Sequence, residues 1–242
     1  MADFHGRFIW HELRVADLAA TLRFYENLFG WATEEAAMGR AITVGGEVIG
    51  GISVVKAGVG SHWTPSIGVD DVDAAAAAAL ANGGIVTSGE PADVPGQGRI
   101  APILDPHKSI FAAYRPLDTS RLRRSAASGG FVWDRLRTPH PTASADFYRK
   151  TIGWTPALAT DQRSGTFHLA DGTRVAEFVA AGAGGPTGWL PFISVADLAG
   201  ARTRATTLGA TRVGEPVDIP GVGSFAVIDD LEGASLAVLQ AA

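Results

Sequence analysis

The stretch 8-FIWHELRVADLAATLRFYENLFGW-31 returns as 131-FVWDRLRTPHPTASADFYRKTIGW-154. Trp10 matches Trp133, Leu13 matches Leu136, Phe24-Tyr25 match Phe147-Tyr148, and Gly30-Trp31 match Gly153-Trp154, each pair 123 residues apart. A repeat of this period is too long for a solenoid and has the size of a domain. Each copy carries the same grammar. A run mixing aromatic, branched and charged residues predicts a strand. A polar stop follows, Ala16-Asp17 or Thr138-Pro139-His140-Pro141, where a helix can be capped. Leu18, Leu22, Tyr25 and Leu28-Phe29 then recur at helical spacing. Gly30 stands where a left-handed residue ends a helix, and Trp31 can fold back on its last turn.

The rest of each copy predicts further strands. In the first, 41-AITVGGEVIGGISVV-55 is a hairpin about Gly45-Gly46, and 62-HWTPSIGVDDVDAAAAAALANGG-84 is a strand and a helix capped by Asp70 or Asp71 and stopped at Gly83-Gly84. Three strands around a Pro-Gly and an Asp-Pro turn fill 85–116. The second copy has its hairpin at 166–180, its inner strand and helix at 189–210, and its last strands at 216–240. The chain is therefore expected to be α+β: four βαβββ modules in two domains, 1–116 and 131–242, with the small, polar segment 117–130 as linker.

Composition narrows the function. The 242 residues are 46% hydrophobic, which suits two ordinary cores. No apolar run reaches the ~20 residues of a spanning helix. The start, Met1-Ala2-Asp3-Phe4-His5, has no basic-then-apolar leader, so a cytoplasmic protein is the simplest expectation. The absence of cysteine removes disulfides, thiolate catalysis and thiolate metal sites. Net charge is −5, and the basic run 121-RLRR-124 is too short to argue for nucleic acid. There is no serine elbow and no Walker loop, and 95-PGQG-98 and 220-PGVG-223 precede strands, so they are turns rather than phosphate cradles.

A βαβββ module with a short opening strand, D-L-x-x-x-x-x-F-Y-x-x-x-x-G-W, and a close of the type G-x-G-x-x-x-x-x-x-D-P resembles the vicinal oxygen chelate superfamily. That group holds glyoxalase I, bleomycin-resistance proteins and extradiol dioxygenases. The resemblance extends over all four modules and is closest to tandem, two-domain glyoxalase-like members. It implies curved sheets enclosing cavities. In metal-dependent members it also implies histidine or glutamate ligands early in a module's first strand and late in its last. Carried over, those positions hold Trp10, Trp133, Thr64, Leu190, Ala112 and Ala237, with hairpin positions near Gly51 and at Glu177. Only Glu177 could bind a metal, whereas a divalent ion wants three or four converging donors.

The histidines are expected to sit apart from any such site. His5 is terminal and loose, His107 and His140 are in solvated turns, and His168 is in the second hairpin. Alternation puts His11 on the face of Leu13 and Val15, opposite Trp10 and Glu12. His62 shares parity with Thr64 and points toward the cavity mouth. The expected cavity linings are Trp10, Glu12, Arg14 and His62 in the first domain, and Trp133, Arg135, Arg137 and Glu177 in the second. Two fates compete for the charged members: internal ion pairing, with Glu177 meeting Arg135 or Arg137, or an aromatic wall and guanidinium fork for a planar or carboxylated ligand.

The sequence thus predicts a small-molecule binding protein without the usual metal or another cofactor, monomeric or homodimeric, touching neither nucleic acid nor membrane. The alternative is a divergent metal-dependent lyase, isomerase or dioxygenase of the same superfamily, with a divalent metal as cofactor. A third reading is a structural protein whose cavities are filled by its own side chains. Whether the modules pair within or between the domains is left open.

Overall fold

The computed structural model describes residues 4–36, 39–56, 58–119, 128–182 and 184–242, so most of the expected linker, and the basic run within it, lies outside the described residues. Four modules follow one another. The first is β1 (Phe8–Val15), α1 (Leu18–Phe29), β2 (Ala32–Ala36), β3 (Gly39–Val44) and β4 (Glu47–Val54). The second is β5 (His62–Gly68), α2 (Val72–Ala81), the two-residue β6 (Ile85–Val86), β7 (Ala92–Val94), β8 (Gly98–Leu104) and β9 (Ile110–Pro116). The third is β10 (Phe131–Thr138), α3 (Pro141–Ile152), β11 (Thr155–Leu158), β12 (Ser164–His168) and β13 (Arg174–Ala180). The fourth is β14 (Gly188–Ser194), α4 (Leu198–Thr207), β15 (Arg212–Val213), β16 (Val217–Ile219), β17 (Gly223–Asp229) and β18 (Ser235–Ala241). The strands form two curled sheets of nine, β1–β9 and β10–β18. The fold is α+β, with the repeat visible in every element.

Local chemistry places the helices. Asp17 accepts from the Ala20 amide at 2.9 Å and Asp71 from the Ala74 amide at 2.9 Å, so α1 and α2 begin at side-chain caps. Of the two aspartates expected before α2, Asp71 is the cap. α3 starts on Pro141 instead, whose missing N–H costs nothing at that position. Gly30 and Gly153 end α1 and α3 at φ 71° and 85°, the left-handed region open to glycine. The tryptophans after them do fold back. Trp31 stacks on Tyr25 with centroids 5.0 Å apart, and Trp154 on Tyr148 at 5.7 Å.

Packing follows a different division from the sequence repeat. Contacts separate the chain into unit one, Met1–Trp10 with Thr64–Leu122 and Asp134–Trp189, and unit two, His11–Trp63 with Arg123–Trp133 and Leu190–Ala242. Unit one therefore combines the second and third modules, and unit two the first and fourth. Each has its own core of helix-facing side chains. Ile67, Ala113, Phe111, Phe147, Tyr148 and Trp154 are among those of unit one, and Leu13, Tyr25, Trp31, Ile193, Ile228 and Val238 among those of unit two. Each buried leucine, isoleucine, valine or phenylalanine among them contributes on the order of 1.5–3 kcal/mol by leaving water.

Within unit two, β1 runs parallel to β4, with Glu12 opposite Gly51 and Leu13 opposite Ile52. A Cβ on Gly50 would lie 2.5 Å from the His11 carbonyl oxygen, so the pair closes only over bare backbone. Within unit one, β10 and β13 are parallel in the same way, Arg135 opposite Glu177. The edge strands β2 and β11 add to β3 and β12.

Candidate functional site

Strand alternation fixes which residues turn away from the helices. On β1, Leu13 and Val15 are fully buried in the core of unit two, and His11 shares their side. His11 is 3% exposed and stacks on Phe131, centroids 4.0 Å apart and planes 12° off parallel. Trp10, Glu12 and Arg14 are half-buried on the other face, as Trp133, Arg135 and Arg137 are on β10. The helix-averse face is therefore where the cavity linings were expected.

Glu12, Arg135 and Glu177 are tied. Glu12 accepts a 2.5 Å hydrogen bond from the Ser53 hydroxyl on β4. Arg135 Nε donates to Glu177 Oε1 at 2.6 Å, with side chains 15% and 23% exposed. The carboxylate that stood as the one metal candidate in the second repeat is thus in an ion pair. Among the described residues, no three histidine, aspartate or glutamate side chains gather where an ion could be held. The donors at the positions carried over from the superfamily, indole, hydroxyl and methyl groups with one paired carboxylate, do not suit a divalent ion.

His62 is half-buried, and its Nδ1 lies 2.7 Å from the Gly60 carbonyl oxygen, so the ring is held by its own loop. Two histidine expectations need correction. His5 is not loose: the Asp70 amide donates to its Nδ1 at 3.2 Å, and the Asp70 carboxylate lies 3.3 Å away. His107 is half-buried rather than solvated, whereas His140 is exposed as expected. Their rings meet at 4.7 Å, and burial lowers the His107 pKa, with nearby His140 acting the same way against the opposing pull of Asp105.

The equivalent walls of the two repeats differ in chemistry. In unit one, β5 pairs β9 with Ser66 opposite Ala112, and β8 pairs β9 with Pro102 opposite Ala112 and Ile100 opposite Tyr114. Ile67, Ala101 and Ala113 point into the core, so Thr64, Ser66 and Tyr114 lie on the helix-averse face. The Tyr114 hydroxyl donates to the Gln97 carbonyl at 3.0 Å, and burial raises its pKa. In unit two, the matching wall is a closed apolar cluster. Leu190, Phe192, Phe225 and Ala237 are buried together, with Trp133, Val227 and Leu239 packed against them and the two phenylalanine rings 5.2 Å apart. Leu190 and Phe192 occupy the places of Thr64 and Ser66. Sequence reasoning named Thr64 and Leu190 only as vacant ligand positions and did not single out Ser66 or Tyr114. The change from hydroxyls to hydrocarbon between the two copies was the available signal.

Comparison with known proteins agrees with this architecture. Residues 7–111 match the family described as Glyoxalase/Bleomycin resistance protein/Dioxygenase superfamily, and 131–239 match the Glyoxalase-like domain. The anthracycline biosynthesis protein DauV of Streptomyces sp. (strain C5) is 30% identical over 97% of this chain and 93% of its own length. CFP32 of Mycobacterium tuberculosis (strain CDC 1551 / Oshkosh), which carries a provisional name as a glyoxylase, is 28% identical over 96% and 94%. Among solved structures, the Mn(II)-bound glyoxalase of Novosphingobium aromaticivorans superposes with a TM-score of 0.69 at 16% identity, covering 98% of this chain and 82% of that one. At that identity the likeness speaks for the fold. The chain belongs to the glyoxalase/bleomycin resistance protein/dioxygenase superfamily.

Proposed function

We propose that the chain is a binding protein for a small, planar organic molecule, held without a divalent ion against the helix-averse face of the first sheet. The observation that carries this is the difference between the two walls. Hydroxyls at Thr64, Ser66 and Tyr114 stand where the second repeat has packed Leu190, Phe192 and Leu239. Burying the Thr64 and Ser66 hydroxyls costs free energy unless something hydrogen-bonds them, and a ligand's carbonyl or hydroxyl groups can do so, beside a Tyr114 hydroxyl already donated to Gln97. Trp10, on the same side of its strand, offers an aromatic surface. The related anthracycline biosynthesis proteins make an aromatic polyketide-like ligand the first class to try. The protein is expected to act in the cytoplasm as a monomer or homodimer.

The test is to make the first wall resemble the second. Thr64→Leu with Ser66→Phe should abolish a thermal shift caused by an aromatic ligand panel, while the variant itself still unfolds cooperatively. A ligand held at 100 times its dissociation constant adds ~2.7 kcal/mol to the native state, a shift that is readily seen. Trp10→Ala should weaken the same binding. A shift that survives Thr64→Leu/Ser66→Phe but disappears with Phe192→Ala would place binding in the second repeat and end this reading. Stoichiometric zinc, nickel, iron or manganese in purified protein, together with turnover, would favour the enzymatic alternative.

A further inference from the structure

The two packing units close the same seam by different chemistry. In unit two, the turn between β17 and β18 reaches the entrance of α1. There Glu232 accepts from the Ala16 amide at 2.7 Å, the Asp17 amide at 2.5 Å and the Ser61 hydroxyl. The matching positions in unit one are His107 for Glu232 and His140 for Asp17. Instead of a carboxylate and amides, two imidazole rings face each other, centroids 4.7 Å apart and tilted by 54°.

Both rings are carried on restrained backbone. The His107 amide donates to Asp105 Oδ1 at 2.8 Å, in a turn that also bonds Lys108 N to Asp105 O and Asp105 N to Ser109 O. His140 sits between two prolines, its amide donates to Thr138 Oγ1 at 3.2 Å, and its carbonyl accepts from Ser144 N. Its ring is not used to cap α3. His107 is half-buried and His140 exposed, so an ion can arrive from solvent.

We propose that His107 and His140 form a two-imidazole site for a divalent transition-metal ion such as zinc, nickel or copper, clipping the β8–β9 turn to the start of α3. Imidazole nitrogen is a good donor for all three ions, and water can complete the coordination. The Asp105 carboxylate beneath His107 favours a cation, whereas the positive end of α3 opposes one. Two ligands and that opposition make the site weaker than a three-histidine centre and easily stripped during purification. The ion would do in unit one what Glu232 does in unit two. This site is separate from the ligand wall of the first sheet and does not depend on it.

Thermal unfolding of the tag-free protein in nickel chloride, and separately in zinc chloride, tests the proposal. Wild type should melt a few degrees higher with metal, His107→Gln and His140→Gln should each lose that rise, and His168→Gln should keep it. Copper(II) bound to the wild type should show nitrogen hyperfine coupling from two imidazoles, and either variant at the pair should lose one. No metal-dependent rise in wild type, or a rise or copper signal unchanged in the His107→Gln/His140→Gln double variant, would overturn the site.

Discussion

The hydroxyl of Tyr25 donates a 2.9 Å hydrogen bond to Asp230, a residue 205 positions later in the chain. Asp230 itself is fully buried and also accepts the Glu232 and Ala234 amides at 2.9 Å each. Unit one repeats the device with Tyr148 and Asp105 at 3.3 Å, where the Trp189 indole donates to the tyrosine oxygen at 2.9 Å. The tyrosine of each Phe-Tyr pair and the aspartate of each late turn are thus two ends of one contact. That contact joins first module to fourth and second to third.

Tyr25→Phe should destabilise the protein by about 1–3 kcal/mol, because it leaves a buried carboxylate short of one donor. Chemical denaturation of the variant measures it. A cost near zero would mean that water or a neighbour replaces the phenol.

The pH response of this seam has two opposing parts. Burial raises the Asp230 pKa above its ordinary value. Its folded state therefore holds the proton more tightly, and the linked stability is complete below the unfolded pKa and lost as pH rises through the folded one. Burial also pushes Glu232 up, but hydrogen bonds from Ser61, Ala16 and Asp17 outweigh it and hold the carboxyl below the usual range. Its contribution is present above the unfolded pKa and lost as pH falls through the folded one. Between pH 3 and 7, the melting temperature of Asp230→Asn should gain on wild type as pH rises, and that of Glu232→Gln should lose. Parallel curves for both variants would refute the assignment.

Phe192→Ala should cost about 3–5 kcal/mol, since the ring is buried against Phe225 and its removal leaves a cavity in the closed cluster of unit two. Ser66→Ala, at the matching place in unit one, should change stability by less than about 1 kcal/mol. Equal effects in denaturant titration would mean the two walls are packed alike.

Gly50→Ala should disrupt the pairing of β1 with β4, because the added methyl meets the His11 carbonyl, which is backbone and cannot swing aside. Hydrogen exchange of the β1 and β4 amides should accelerate relative to those of β10 and β13. Uniform protection in all four strands would contradict the close approach.

Much of this was legible in the residues. The repeat gave the modules, the glycine stops and the fold class. Alternation put His11 against the helix and Trp10, Glu12 and Arg14 opposite. The ion pair of Arg135 with Glu177 was one of two fates foreseen for those charges. The edge strands were not separately assigned, because 32-ATEEA-36 and 155-TPAL-158 are exposed and show no inward-facing apolar side to read. The seams were invisible for a different reason. Tyr25 and Asp230 each satisfy a local pattern, helix face and turn, and nothing nearby in sequence announces a partner two hundred residues away. His107 and His140, read singly, looked like solvated turn residues, and only packing brings their rings together.

The interleaved cores also set an order of events during synthesis. The hydrophobic side of α1 leaves the ribosome well before 190–242, whose residues share its core in unit two. At about 5–20 residues per second, the first helix waits on the order of 10–40 seconds for them. The nascent chain therefore carries an exposed greasy surface over that interval, and its yield in the cell should depend on holdase chaperones more than that of a protein whose halves mature one after the other.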